Sequence, residues 1–167
     1  WLSDTPDHVG SITWGNRWVR MATWVHFRDE RTQREFIVLN THWDHQVAEA
    51  REKSAALIRD RIAQFDPNIP LIVLGDFNCP AGLGVPFTTL TSDTGLVDTW
   101  SVATSRSPEP VPNTFNGFKS PIYEGERIDW VLARNFRRVS AARIILPSDN
   151  ASYPSDHFPV IAELELE

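Results

Sequence analysis

The sequence predicts a mixed α/β domain whose functional groups sit at strand ends. Three observations carry that prediction. Two continuously apolar runs, Phe36-Ile37-Val38-Leu39 and Leu71-Ile72-Val73-Leu74, suit inner strands covered on both faces. A helical periodicity lies between them. Short polar clusters follow the strands directly, where polar groups are seldom needed for folding. The 167 residues, 41% hydrophobic and 11% aromatic, suffice for one core, and no linker, repeat or low-complexity tract divides them.

The elements follow in order. From Trp18 to Arg28, Val19, Met21, Thr23, Val25 and Phe27 alternate onto one face, predicting a strand with that side buried. Asp29 to Arg34 reads as a hairpin connection, and Glu35 to Asn40 as the next strand, with Thr41-His42-Trp43-Asp44 at its carboxyl end. Val47 to Phe65 reads as a helix, because Val47, Ala50, Ser54, Leu57, Ile58, Ile62 and Phe65 recur at three- and four-residue spacings; Pro67 and Pro70 close it. The strand Leu71 to Leu74 then runs into Gly75-Asp76-Phe77-Asn78. A short helix is expected around Phe87 to Leu90, and the Ser-, Pro-, Asn- and Gly-rich stretch from Ser101 to Lys119 reads as a long surface connection. Arg127 to Ala133, Val139 to Leu146 and Val160 to Leu166 complete the strands, with Ser155-Asp156-His157 just before the last.

Composition narrows the function. Sixteen Lys plus Arg against 22 Asp plus Glu leave a charge of -6, which disfavours loose, sequence-independent binding to duplex nucleic acid and suits a compact phosphate substrate. The single cysteine, Cys79, excludes an intramolecular disulfide and a thiolate cluster for zinc. No apolar run is long enough to cross a bilayer, and no signal-peptide pattern is visible, so nothing here assigns a compartment.

The clusters contain what phosphate-ester hydrolysis needs: a held water, a partner for its proton, and donors or positive charge for the phosphoryl oxygens. Asp76 and Asn78 lie two apart, which puts both side chains on one side of an extended chain, although Gly-Asp and Asn-Cys-Pro are also ordinary turn material. Asp129 sits inside an apolar strand and requires a partner, either His157 or Arg127 or the backbone. His157 paired in this way would be held in one tautomer and protonated more readily. Asp156 reads as a metal ligand or as a cap on the turn into Pro159. His42 reads as a phosphate contact or a satisfied strand-end histidine, and Arg20 as a phosphate contact or a solvated charge. His45 is close enough to the first cluster to support it, whereas His8 and His26 read as structural or solvent-facing. Trp43, Trp130, Phe115 and Phe118 read as core or cleft walls rather than base-stacking platforms.

In the order His42, Asp76 with Asn78, Asp129, and Asp156 with His157, these clusters resemble the endonuclease/exonuclease/phosphatase superfamily across essentially the whole chain. The most specific blocks are Leu71 to Asn78 and Tyr153 to Val160. Thr114-Phe115 ahead of Arg127-Ile128-Asp129-Trp130 adds to the likeness, and Trp1 to Pro6 is similar to bacterial and fungal members of unassigned substrate.

The resemblance implies a DNase I-like fold, a two-sheet β-sandwich flanked by helices. It also implies a magnesium-dependent phosphoric ester hydrolase, with manganese as the alternative ion. Asp76 would orient the attacking water, Asn78 would bind the phosphate, and Asp129 would support His157. His42 and His157 would contact phosphoryl oxygens, and Asp156 would lie at the metal. Arg20 resembles the arginine that opens a central strand in several members, and Phe115 would form part of the substrate wall. Members normally begin with a further half-sheet carrying an Asn or Asp and a metal-binding Glu. Neither is visible, so residues 1–167 are expected to form the C-terminal two-thirds of one domain, exposing a wide apolar face and partnered by the missing N-terminal segment. The expected activity is hydrolysis of a small phosphomonoester or phosphodiester. The alternatives are a nuclease of abasic-site or deadenylase type, and a catalytically inactive fragment or binding remnant.

Overall fold

The computed structural model describes residues 1–147 and 153–166. Its first sheet contains strands β1 (Ala22–Arg28), β2 (Glu35–His42), β3 (Leu71–Asp76), β4 (Val97–Asp98) and β6 (Asp129–Arg134), in the order β1-β2-β3-β6-β4. The second contains β5 (Ser105–Ser107), β7 (Arg138–Ile144) and β8 (Val160–Glu165), in the order β5-β7-β8. Three helices accompany them among the described residues: α1 (Ala48–Ile62), α2 (Gly84–Thr91) and α3 (Thr99–Val102).

Helix α1 connects β2 to the parallel β3, the crossover that parallel strands require. Asp44 Oδ1 accepts from the N–H groups of Gln46 and Val47, at 2.8 and 2.7 Å, and so turns the chain into that helix. The helix buries Ala50, Ala55, Ile58 and Ile62 against Ile37, Leu39, Leu71, Val73, Trp130 and Leu132 of the sheet. Residues i and i+2 share a strand face, so this packing leaves the alternate residues on the opposite side. Phe77 stacks on Trp130 at 4.1 Å between centroids, and Trp43 meets both edge-on. Each such ring, fully buried, stabilises the fold by about 1.5–3 kcal/mol. Trp43 and Trp130 are therefore core residues, and they fix the ends of β2 and β6 where polar groups emerge.

The expected burial of β1 is overturned. Its regular pairing begins at Ala22, and Val19, Met21, Val25 and Phe27 are 43–46% exposed. The reason is register: Ala22 and Trp24, not the other face, lie toward α1, the Trp24 ring 5.3 Å from the Arg61 guanidinium, and among the described residues β1 is an edge strand paired with β2 alone. Phe36 and Val38, expected to be covered on both sides, are only half-buried because they lie on the sheet face opposite α1. The surface connection from Ser101 contains the end of α3 and the short β5, too brief for periodicity to show. Among the described residues no helix is long and apolar enough to cross a membrane.

Candidate active site

Strand register builds the site. His42 is the Cα partner of Asp76, and Asp76 of Asp129, so the three form one row across β2, β3 and β6. The row occupies the face opposite α1, and His157 closes over it from the segment before β8. His157 Nδ1 lies 2.8 Å from Asp129 Oδ2, while its Nε2 is 3.8 Å from Asp76 Oδ2. His42 Nε2 approaches the same Asp76 oxygen at 3.2 Å.

Asp129 thus pairs with His157, and Arg127 does not compete for it. The Arg127 guanidinium instead grips Asp98, with Nη2 2.6 Å from Oδ2 and Nη1 3.3 Å from Oδ1, in a buried pair. Thr114, fully buried, braces the arrangement: its hydroxyl accepts from Ile128 and Asp129 N–H, and its carbonyl from Phe158 N–H. Phe115 bridges to His157 and sets its ring edge-on at 5.2 Å. Thr114 and Asp44 are visible in the sequence only as members of their clusters, and nothing there gives either this supporting role. Their hydrogen bonds to backbone N–H groups depend on the folded path of the chain and leave no mark in the spacing.

Asp76 and Asn78 meet by a turn rather than by an extended chain. Asn78 adopts φ 51°, a left-handed conformation that Asn tolerates, and its N–H donates to Asp76 Oδ1 at 2.9 Å. Its side-chain amide donates to Trp43 carbonyl at 3.1 Å and Asp76 Oδ2 at 3.2 Å. The turn reading and the site reading of Gly75 to Asn78 therefore hold together.

Arg20, His42, Asp76, Asn78, Phe115, Asp156 and His157 line one open cleft of about 620 Å³, with Trp18 and His45 on its wall; Asp129 lines the adjoining groove beside Asp76. Every sequence-predicted site residue is therefore in one neighbourhood. His26 lies elsewhere, pairing with Glu35 on the surface. The oxygen and nitrogen atoms of Asp76, Asp129 and His157 that lie within 4.8 Å of one another form a group able to hold a cation, and Asp156 stands outside it on the cleft wall.

The electrostatics separate the two histidines. The hydrogen bond to Asp129 holds the His157 pKa above its ordinary value, reinforced by the charges of Asp129, Asp76 and Asp156. Burial pushes His42 below its ordinary value, with Arg20 and His157 adding to the effect and Asp76 opposing it. Burial also raises the Asp76 carboxyl, and Asp129 adds to the rise. The arrangement thus offers an imidazole that takes up a proton more readily than usual, one that does so less readily, and a carboxyl that holds its proton more tightly, around one open volume.

The family model described as "Endonuclease/Exonuclease/phosphatase family" matches residues 1–157. An endonuclease/exonuclease/phosphatase from Bacteroides vulgatus is 34% identical, with a TM-score of 0.88, covering 100% of this chain and 63% of that one. A mannosyl-6-phosphatase from Bacteroides thetaiotaomicron is 32% identical, with a TM-score of 0.86, covering 98% of this chain and 63% of that one. An uncharacterised protein of Acanthamoeba polyphaga mimivirus is 37% identical over 82 residues, 47% of this chain and 30% of that protein. The chain thus spans less than two thirds of the length of each.

Proposed function

Because the chain belongs to the endonuclease/exonuclease/phosphatase family, we propose that it hydrolyses a small phosphate ester by in-line attack of water, in a magnesium-dependent reaction. The observation that carries this reading is the row of His42, Asp76 and Asp129 closed by His157. Asp76, made more basic by burial, orients the water and accepts its proton. His157, held by Asp129, donates from Nε2 to a phosphoryl oxygen. Asn78 releases its bond to Asp76 Oδ2 and donates to a second oxygen. His42, with Nε2 3.2 Å from Asp76 Oδ2, fixes that carboxylate from the other side.

The donor chemistry suits a hard cation. Magnesium takes oxygen ligands and keeps several waters, and two carboxylates facing each other across β3 and β6 repel unless a cation or proton intervenes. Asp76 and Asp129 would hold it from the row. Asp156, outside that group on the cleft wall, would reach the ion through one of its waters. Bound there, the ion would supply positive charge for the phosphoryl oxygens.

A small substrate is supported by the charge of -6 and by similarity to a mannosyl-6-phosphatase. The test is hydrolysis of bis-p-nitrophenyl phosphate, mannose 6-phosphate and a nucleotide panel by full-length protein during magnesium titration. Metal-dependent turnover lost in Asp76→Asn and His157→Ala is expected; turnover indifferent to either would sink the reading. Exposed Phe115 and Phe118 favour a nuclease as the second reading, since half or more of each side chain is open to stack on bases. Affinity for single-stranded RNA or DNA that does not fall as salt rises would remove it.

A further inference from the structure

His157 closes over the row from a segment outside every helix and strand, since β8 begins only at Val160. Its bond to Asp129 fixes one edge of the ring, and the backbone that carries the ring needs fixing too. On the β8 side Phe158 provides this: its side chain is buried with Trp100 and Ile144, and its N–H donates to the Thr114 carbonyl at 2.8 Å. On the other side the turn Asn116-Gly117-Phe118 provides it. The N–H groups of Asn116 and Gly117 both donate to the Asp156 carbonyl, at 2.7 and 3.1 Å. Phe115 and His157 therefore face each other across a single antiparallel bridge with hydrogen bonds on both flanks.

Asn116 gives this turn its shape. It is 6% exposed, and its side chain uses both ends: Oδ1 accepts from the Phe118 N–H at 2.6 Å, and Nδ2 donates across to the Ser155 carbonyl at 3.4 Å, a long contact. The first bond folds the turn back so that Gly117, at φ +58°, directs its N–H to Asp156. Removing the amide releases both partners at once. Asp lacks the donor, and Ser and Ala are too short to reach Ser155.

Resting on the phosphoesterase reading above, we propose that Asn116 is a positioning residue for His157, tying the turn of Phe115 to Phe118 and the segment of Ser155 to Phe158 into one unit over the row. It acts through the Asp156 carbonyl and the Phe115 bridge and does not touch the phosphate. In the proposed reaction His157 Nε2 meets a phosphoryl oxygen, and a displacement of about 1 Å there costs up to about a hundredfold in rate. Asp129 by itself does not give that precision, because a ring held by one hydrogen bond pivots about it. Phe115, on the cleft wall, is carried by the same unit, so the wall and the donor keep their spacing.

Kinetics and ring NMR on full-length protein test this. Asn116→Ala is expected to lower kcat about tenfold to a hundredfold while KM changes less than about threefold, because the His157 donation is strongest in the transition state. Asn116→Ser, whose hydroxyl still accepts from the Phe118 N–H, is expected to fall less. In metal-free protein the Nδ1–H signal of His157, assigned by its loss in His157→Ala, shifts or broadens in Asn116→Ala while the His42 ring signals stay in place. A general loosening of the fold would move both rings. An unchanged kcat in an active enzyme, an unmoved His157 signal, or equal changes at His42 and His157 overturns the proposal. If full-length protein hydrolyses no phosphate ester, the phosphoesterase reading is lost, yet a His157 signal that alone moves still supports the positioning, which separates the two failures.

Discussion

Asp76 and Asp129 stand directly opposite each other in the antiparallel pair of β3 and β6, so two carboxylates share one sheet face at the mouth of a cleft. Like charges so placed destabilise a sheet. His42 and His157 partly offset the repulsion, but burial and Asp129 still leave the Asp76 carboxyl above its ordinary pKa. The folded state therefore binds a proton at Asp76 more readily than the unfolded state. Its contribution to stability is present at low pH and lost as pH rises through the folded pKa.

Asp76→Asn removes a charge that the fold holds at a cost. Its thermal midpoint at pH 7 is expected to equal or exceed that of the unaltered protein, whereas hydrolysis falls by about 10²- to 10⁴-fold. Calorimetry alongside a steady-state assay checks both. A large loss of stability would show that the hydrogen bonds to Asn78 outweigh the repulsion.

Asp129→Asn acts on His157. Removing the carboxylate takes away the main cause of the raised His157 pKa, so the imidazole titrates at lower pH. Because the proposed role needs the protonated ring, the alkaline limb of kcat/KM moves to lower pH, and activity is lost first on the high-pH side. An NMR titration of the His157 ring measures the shift directly, and an unmoved midpoint would contradict the coupling.

The Asp98 and Arg127 pair holds the approach to β6 and the start of α3. Asp98 also accepts from Trp100 N–H, and the Arg127 guanidinium lies 5.2 Å from the centre of the Trp100 ring. Removing one partner strands a buried charge, so Asp98→Ala is expected to cost about 3–5 kcal/mol in denaturant unfolding. Replacing both partners by apolar residues should cost less. A double-mutant cycle decides.

Gly75 admits no side chain. Its φ of +144° disfavours other residues, and a Cβ there would collide with the Thr41 backbone carbonyl on the paired strand β2. Gly75→Ala is expected to destabilise by about 2–4 kcal/mol and to displace Asp76. Lower thermal stability together with reduced activity checks it; a fully stable, fully active variant would mean that β2 and β3 separate freely.

Much of the fold was legible because periodicity reports packing locally. The runs Phe36 to Leu39 and Leu71 to Leu74 lie within β2 and β3, and the spacing from Val47 to Phe65 brackets α1. The misreading of β1 has a specific cause: alternation shows that two faces differ, not which one meets a helix. Val25 and Phe27 look inward by pattern, yet α1 lies against Ala22 and Trp24. The two-residue β4 and three-residue β5 were invisible because they are too short to alternate.

For the site, residue type and order were sufficient to nominate His42, Asp76, Asn78, Asp129 and His157, because carboxylates and imidazoles beside apolar strands have few structural uses. Their pairing was not available in the sequence. Whether Asp129 met Arg127 or His157 depended on where the Thr114 and His157 segments crossed, and what Arg20 faced depended on the path of the chain after β2. The sequence determined which chemical groups reach the strand ends, since that follows from local pattern. Only the tertiary structure decided which of them touch, because hydrogen bonds and charges act over a few ångströms between residues as far apart in the chain as Asp129 and His157.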